Sequence, residues 1–255
     1  VDWLISRFGT EKMSLGATGP FCGLMNCSVL EPVMWLYQRT GEKRYLDFAK
    51  WIVTELDVNK KGPELIPLAL KGVPVRDRHP DTHGHKAYEM MSCCQGLLDY
   101  YLQTGDKRCF DAVLRSAENI IADEIDIAGG GTQYERFCGS RARQARDYAV
   151  GSETCVLTTW MRLCQKLSSV TGETRWADEL EKTFFNAYLG SLSRSGDIFD
   201  SYSCLAGERE CRHPLHCRMQ INCCAANGPR GFVAYLGNAV TTGKEVVNVN
   251  QYLFG

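Results

Sequence analysis

One local pattern occurs three times along this chain: LYQRTGEKRYLDFAKWIV around Gly41, YYLQTGDKRCFDAVLRSAENI around Gly105 and LSSVTGETRWADELEKTFFNA around Gly172. Each reads as helix, Thr-Gly, acidic residue, Lys or Thr, Arg, helix. Glycine accepts the left-handed backbone that ends a helix, and an acidic residue just beyond it suits the positive end of the next one. The flanking runs keep helical rhythm: Tyr88, Met91, Gln95, Leu98 and Leu102 step by three or four, as do Phe110, Val113 and Leu114 with Ile120 beyond. The pattern predicts helices near 29–39, 44–56, 85–103, 107–122, 153–170 and 174–193, with another after Pro229. Helical hairpins at this period stack side by side to bury a shared core, so the expected class is all-α. Six or seven helices make about half of a closed ring of six hairpins. The final run VVNVNQYLFG turns to β-branched and aromatic alternation, the expected start of a strand-rich module at 241–255 after a helical part at 1–240, in a piece of a longer protein.

Composition narrows the function. With 255 residues and 44% hydrophobic content the chain can bury one full core. A net charge of −1 gives no basic field for nucleic acid. No apolar run reaches the ~18 residues of a membrane span, and VDWLISRFGT lacks a signal-peptide layout. The 13 cysteines are an odd number, and the adjacent pairs Cys93-Cys94 and Cys223-Cys224 are poorly placed to bridge internally. Reduced thiols are expected, which leans toward a cytoplasmic location.

The joining segments 57–84, 126–152 and 194–228 are long, and long loops in a helical domain are where function concentrates. One contains GGGTQYERF and leads to Glu153-Thr154-Cys155 at a helix start; another holds Asn222-Cys223-Cys224-Ala225-Ala226-Asn227-Gly228-Pro229-Arg230. Glu153, Cys155, Cys223 and Cys224 supply one carboxylate and three thiols, a full four-coordinate zinc shell where the two segments meet. Residues 153 and 155 share no face of a regular helix, so both are expected in a non-helical turn. The alternative is a helix-favouring glutamate beside packed cysteines.

The hairpins, HKAYEMMSCCQGLLDYY, GGGTQYERF, ETC and INCCAANGPRG together resemble glycoside hydrolase family 127, the β-L-arabinofuranosidase group, over nearly the whole chain. The resemblance implies an (α/α)6 barrel, here lacking its first hairpins on the N-terminal side, followed by β-sandwich modules. It also implies retaining release of terminal β-L-arabinofuranosyl groups from an oligosaccharide or glycan. By the same resemblance zinc is held by Glu153, Cys155, Cys223 and Cys224, Cys223 is the nucleophile, Glu135 the acid/base and His85 a sugar contact. Tyr202 matches a sugar-site tyrosine in a loop that departs from the family by Cys204 in place of proline.

Other candidates read more plainly. His79, His83 and His85 fit a polar turn, Arg141, Arg143 and Arg146 a solvated face, and Cys93-Cys94 a helix core. Tyr88, Tyr100, Tyr101 and Trp160 read as packing. Cys211, His213, His216 and Cys217 offer a second metal-type spacing in an insertion-like loop. The competing functions are a zinc-stabilised scaffold or inactive glycan-binding relative without turnover, and a helical-toroid epimerase or lyase. A scaffold has no use for Glu135, and an epimerase leaves the thiol–carboxylate cluster unexplained.

Overall fold

The computed structural model of the chain describes residues 1–79, 85–145, 151–205, 223–243 and 245–253. It forms two compact units, Val1–Ile121 and Ala122–Gly255. In the first, α1 (Asp2–Arg7), α2 (Leu24–Cys27), α3 (Leu30–Thr40), α4 (Lys43–Asp57), α5 (Leu65–Leu70) and a 3-10 turn (Val75–Asp77) precede α6 (Ala87–Thr104) and α7 (Lys107–Asp123), which carries the chain onward. The second holds α8 (Ser140–Arg143), α9 (Thr154–Thr171), α10 (Thr174–Thr183), a π turn (Phe184–Tyr188), α11 (Cys223–Asn227) and α12 (Arg230–Gly237). An antiparallel pair, β1 (Val240–Thr242) and β2 (Val247–Val249), follows, with Val240 opposite Val249. The helical reading is borne out.

The Thr-Gly-acid repeat works through both of its ends. Gly41, Gly105 and Gly172 all cap their helices with φ near 70°. The threonine before each glycine donates its hydroxyl to the carbonyl four residues back, at 2.8 Å in all three repeats (Thr40 to Leu36, Thr104 to Tyr100, Thr171 to Leu167). The same oxygen accepts the N–H of the acidic residue two positions on, Glu42, Asp106 or Glu173. One side chain thus closes the first helix and sets the departure of the second. Asp106 adds an N-cap of its own, accepting Arg108 N–H at 3.0 Å.

Each unit is built round one helix. Every residue of α6 from Glu89 to Tyr100 is buried, and α2, α3 and α4 pack on it. Gly96 sits where α3 crosses: a Cβ there would lie 2.8 Å from the Glu31 nitrogen. Leu102 was expected on the apolar face but is 55% exposed, because α6 emerges into solvent in its last turn. In the second unit α9 is buried without a break from Thr154 to Met161 and is packed by α10, α11 and α12.

The helix expected over 174–193 changes form at Phe184. There the chain takes a π turn that brings Tyr188 Oη to within 2.6 Å of the Gly228 carbonyl and stacks Phe184 on Tyr235 at 3.8 Å. Such single π turns are frequent where a helix must re-aim side chains. Among the described residues no helix is long and apolar enough to cross a membrane.

Candidate active site

Glu153 is the residue before α9 and has extended backbone, φ −61° and ψ 132°. Cys155 is the second residue of the helix, so only Glu153 lies in the non-helical turn expected for both; the extended backbone is what brings its carboxylate round beside the Cys155 thiol. Cys223 and Cys224 open α11, which packs on α9. The four donor atoms lie within 4.8 Å of one another. The Cys155 and Cys224 sulfurs are 3.5 Å apart, those of Cys223 and Cys224 4.0 Å, and Glu153 Oε1 lies 3.9 Å from Cys223 Sγ and 3.8 Å from Cys224 Sγ. Thiolates bound at about 2.3 Å to one ion at tetrahedral corners sit about 3.8 Å apart. The cluster therefore has the dimensions of a four-coordinate metal site.

Its electrostatics point the same way. Hydrogen bonds to Cys223 and Cys224, then burial, push the Cys155 thiol well above its ordinary range. Cys224 is raised as well: its bond with Cys155 acts downward, and the bond to Cys223 together with burial outweighs it. So many anionic donors in one buried pocket hold their protons until a cation replaces them, and thiolate-rich sets suit borderline or soft metal ions. Among the described residues this is the grouping with metal-ligand chemistry. Cys155 and Cys224 are buried, as is Glu153, and Cys223 is exposed.

Small residues and aromatic rings set the pose of α11. A Cβ on Gly228 would come within 2.4 Å of the Phe199 ring, and one on Gly231 within 2.4 Å of the Tyr188 ring. Arg230 donates to Asn227 Oδ1 at 2.8 Å. On the other side Thr154 N–H donates to the Ser201 carbonyl at 3.0 Å, and the Cys224 thiol faces that same carbonyl at 3.7 Å.

Glu135 stands on a two-residue turn closed by Gln133 and Arg136, which exchange backbone hydrogen bonds of 3.2 and 3.0 Å. Both central residues are left-handed, Tyr134 at φ 49° and Glu135 at φ 65°. This is the geometry of a type I′ turn, where Asn-Gly is usual and other L-residues cost about 1–2 kcal/mol each. Tyr202 Oη donates to Glu135 Oε1 at 2.6 Å. Isolated bridges join Gln133 to Gly151 and Glu153 to Tyr202, so three segments run side by side and gather Glu135, Tyr202 and Glu153. Tyr202 is 3% exposed, and burial followed by the Glu153 charge raises its phenol, which keeps it a donor.

Two carboxylates escaped the sequence reading. Glu124, fully buried, accepts the N–H groups of Cys138, Gly139 and Ser140. Asp126 accepts those of Ala128 and Gly130 and the Ser152 hydroxyl. Burial raises both carboxyls, with these hydrogen bonds acting against it. Together they brace the Gly-rich loop on both sides of the Glu135 turn. The available signal was their placement, two acids just before three glycines.

His85 belongs to the first unit, where it is fully buried and edge-on to His79 at 4.8 Å, beside a cavity of about 330 Å³. Cys93, Cys94, Tyr100 and Trp160 are core, and Tyr101 packs on Phe110. Arg141 and Arg143 are exposed on α8. His83, Arg146, Cys211, His213, His216 and Cys217 lie outside the described residues.

The starts of α9 and α11 thus carry a carboxylate–thiol cluster near a glutamate on a Gly-rich loop, within a catalytic domain of glycoside-hydrolase type. The chain belongs to the β-L-arabinofuranosidase family GH127, matching its catalytic domain over residues 2–237. It is 26% identical over 219 residues to the non-reducing end β-L-arabinofuranosidase of Bifidobacterium longum subsp. longum, a match covering 76% of this chain and 32% of the relative. The chain thus spans about a third of the length of that curated relative. Its fold is similar to that of the GH127 β-arabinofuranosidase BT3674, with a TM-score of 0.72 and 22% identity over 99% of this chain and 38% of the other. It is also similar to Ara127N-Se, a GH127 β-L-arabinofuranosidase from Geobacillus stearothermophilus T6, with a TM-score of 0.67 and 15% identity over 99% and 43%.

Proposed function

We propose that this chain is the catalytic part of a retaining glycoside hydrolase that releases a terminal β-L-arabinofuranosyl or related sugar from an oligosaccharide or glycan. One observation carries the reading: three neighbouring segments bring the Glu135–Tyr202 pair beside Glu153, which belongs to the cluster with Cys155, Cys223 and Cys224, and Cys223 is the exposed thiol of that cluster. Zinc fits the donor set; held by those four residues, it would keep the Cys223 sulfur ionised at neutral pH.

The geometry supports the roles that the family resemblance implies. Tyr202 donates to Glu135 Oε1, which supports placing the deliverable proton on Oε2. Cys223 Sγ attacks the anomeric carbon, forming a carbon–sulfur bond as the glycosidic carbon–oxygen bond breaks. Glu135 gives its proton to the departing oxygen, so the aglycone leaves as an alcohol. The Glu135 carboxylate then takes a proton from water, whose oxygen displaces sulfur at the same carbon and returns the thiolate. Two displacements retain configuration. For His85, buried in the first unit, the proposed sugar contact rests on the family resemblance alone. Residues 1–240 are read as the catalytic part and 241–255 as the opening of a β-rich module. The free thiols of the described cysteines support a reducing compartment.

The test combines metal analysis with turnover of a chromogenic arabinofuranoside. About one zinc per chain is expected, with Cys223→Ser and Glu135→Gln each lowering kcat by about a thousandfold or more at unchanged fold. Zinc without turnover would make the chain a metal-stabilised scaffold. A folded chain without zinc sinks the thiolate mechanism.

A further inference from the structure

We propose that Tyr134 is the aglycone platform of this site: its exposed ring stacks on the sugar that departs, and so favours saccharide leaving groups over small ones. The inference rests on Glu135 acting as the acid/base described above.

Its backbone is the first observation. Tyr134 shares with Glu135 the tip of the turn closed by Gln133 and Arg136, and it holds a left-handed φ of 49°. A bulky aromatic is among the residues least suited to that conformation, and such strain persists where the surroundings impose it, commonly at ligand sites.

Burial does not account for its presence. Tyr134 is 61% exposed, whereas Tyr202, the other tyrosine at this glutamate, is 3% exposed and committed to Glu135 Oε1. A large apolar surface held in water on a strained turn adds nothing to the core.

The atom that takes the proton from Glu135 is the leaving oxygen, within about 3 Å of its carboxyl group. Whatever that oxygen carries must therefore lie against the same two-residue tip. Consecutive Cα atoms are about 3.8 Å apart, so the space just beyond the scissile bond is within reach of an exposed ring on the neighbouring residue. Tyrosine is suited to that position, since its face is apolar enough to stack on a pyranose or furanose and its hydroxyl stays wet.

The experiment compares two substrates of the zinc-loaded chain: a β-L-arabinofuranosyl disaccharide and β-L-arabinofuranosyl fluoride, which has no aglycone ring. For Tyr134→Gly the ratio of kcat/KM on the disaccharide to that on the fluoride should fall about tenfold. Inhibition by the free aglycone sugar should weaken by a similar factor, and Tyr134→Phe should retain the wild-type ratio. Glycine relieves the left-handed position, so the Tm of Tyr134→Gly is expected to equal or exceed that of the wild type, which separates lost recognition from unfolding. An unchanged ratio overturns the platform. Wild-type turnover of the fluoride but not of the disaccharide overturns it too, and leaves the nucleophile standing. If the wild type turns over neither, the hydrolase reading falls and the platform with it.

Discussion

Metal affinity at this cluster should be steeply dependent on pH, by an amount the structure supplies. The Cys155 and Cys224 thiols are both raised in the metal-free chain, so both are protonated near neutrality. An ion bound through their sulfurs must displace both protons. Mass action then makes affinity grow about tenfold per pH unit for each proton, so these two alone give about a hundredfold per unit, and a third sulfur bound as thiolate adds to that, as long as the pH stays below both thiol pKa values. In free energy the two amount to about 2.7 kcal/mol per unit, at 1.36 kcal/mol for each proton. The sign is fixed: a raised thiol favours the protonated, metal-free state, so binding weakens as pH falls. Competition with a chromophoric zinc chelator between about pH 6.5 and 7.5 measures the slope. Cys155→Ala removes one proton and one donor, and should make the slope shallower by about tenfold per unit while weakening affinity at every pH. One ion bound with a slope well below tenfold per unit would place it on other ligands and refute the reasoning.

Three further outcomes follow from packing, hydrogen bonding and burial. Gly228→Ala forces a methyl to within 2.4 Å of the Phe199 ring, an overpacking expected to cost about 1–3 kcal/mol in urea unfolding and to weaken metal binding with it, since α11 must shift. Tyr202→Phe deletes the 2.6 Å bond to Glu135; at about 1.5–3 kcal/mol for a hydrogen bond to a charged group, kcat should fall about 10- to 150-fold with zinc content unchanged. In the first unit burial pushes both Cys27 and Cys94 up to about 12, with Glu55 adding to the shift at Cys27. Their contribution to stability is fully present below about pH 9, the unfolded thiol value, and is lost as pH rises toward 12, so urea midpoints should drop between about pH 9 and 11 and drop less in Cys27→Ala.

The hairpins were legible because each is written locally: threonine, glycine and acid together close one helix and start the next within a few residues, and the three repeats do so with the same bonds. The metal-type cluster was legible from residue chemistry, since three thiols and a carboxylate at two helix starts have few uses in common. The Glu135–Tyr202 bond had no comparable local signal. It joins residues 67 positions apart, and the bridges that align them are single residue pairs, too short for a period-two pattern to register. The short helices α1, α2 and α5, of four to six residues, likewise fall below the length at which helical periodicity can be read. The π turn depends on Tyr188 reaching a carbonyl 40 residues away.

Under the proposed mechanism, the two adjacent cysteines at the start of α11 divide their labour by their burial. Successive side chains on a helix are turned by about 100°, so on a helix packed on one side, neighbouring residues meet different surroundings. In α11 the inward position falls to Cys224, which is fully buried against Cys155 and the Ser201 carbonyl. The outward one falls to Cys223, which is exposed yet still 3.9 Å from Glu153 Oε1. A single cysteine there would have to serve as buried ligand or as reagent. The pair allows both, with the second anchoring the first. Alkylation separates the roles: in metal-free protein a small haloacetamide should label Cys223 well ahead of Cys155 and Cys224, and added zinc should slow that labelling by about tenfold or more by coordinating the sulfur. Preferential labelling of Cys224 would reverse the assignment of ligand and nucleophile.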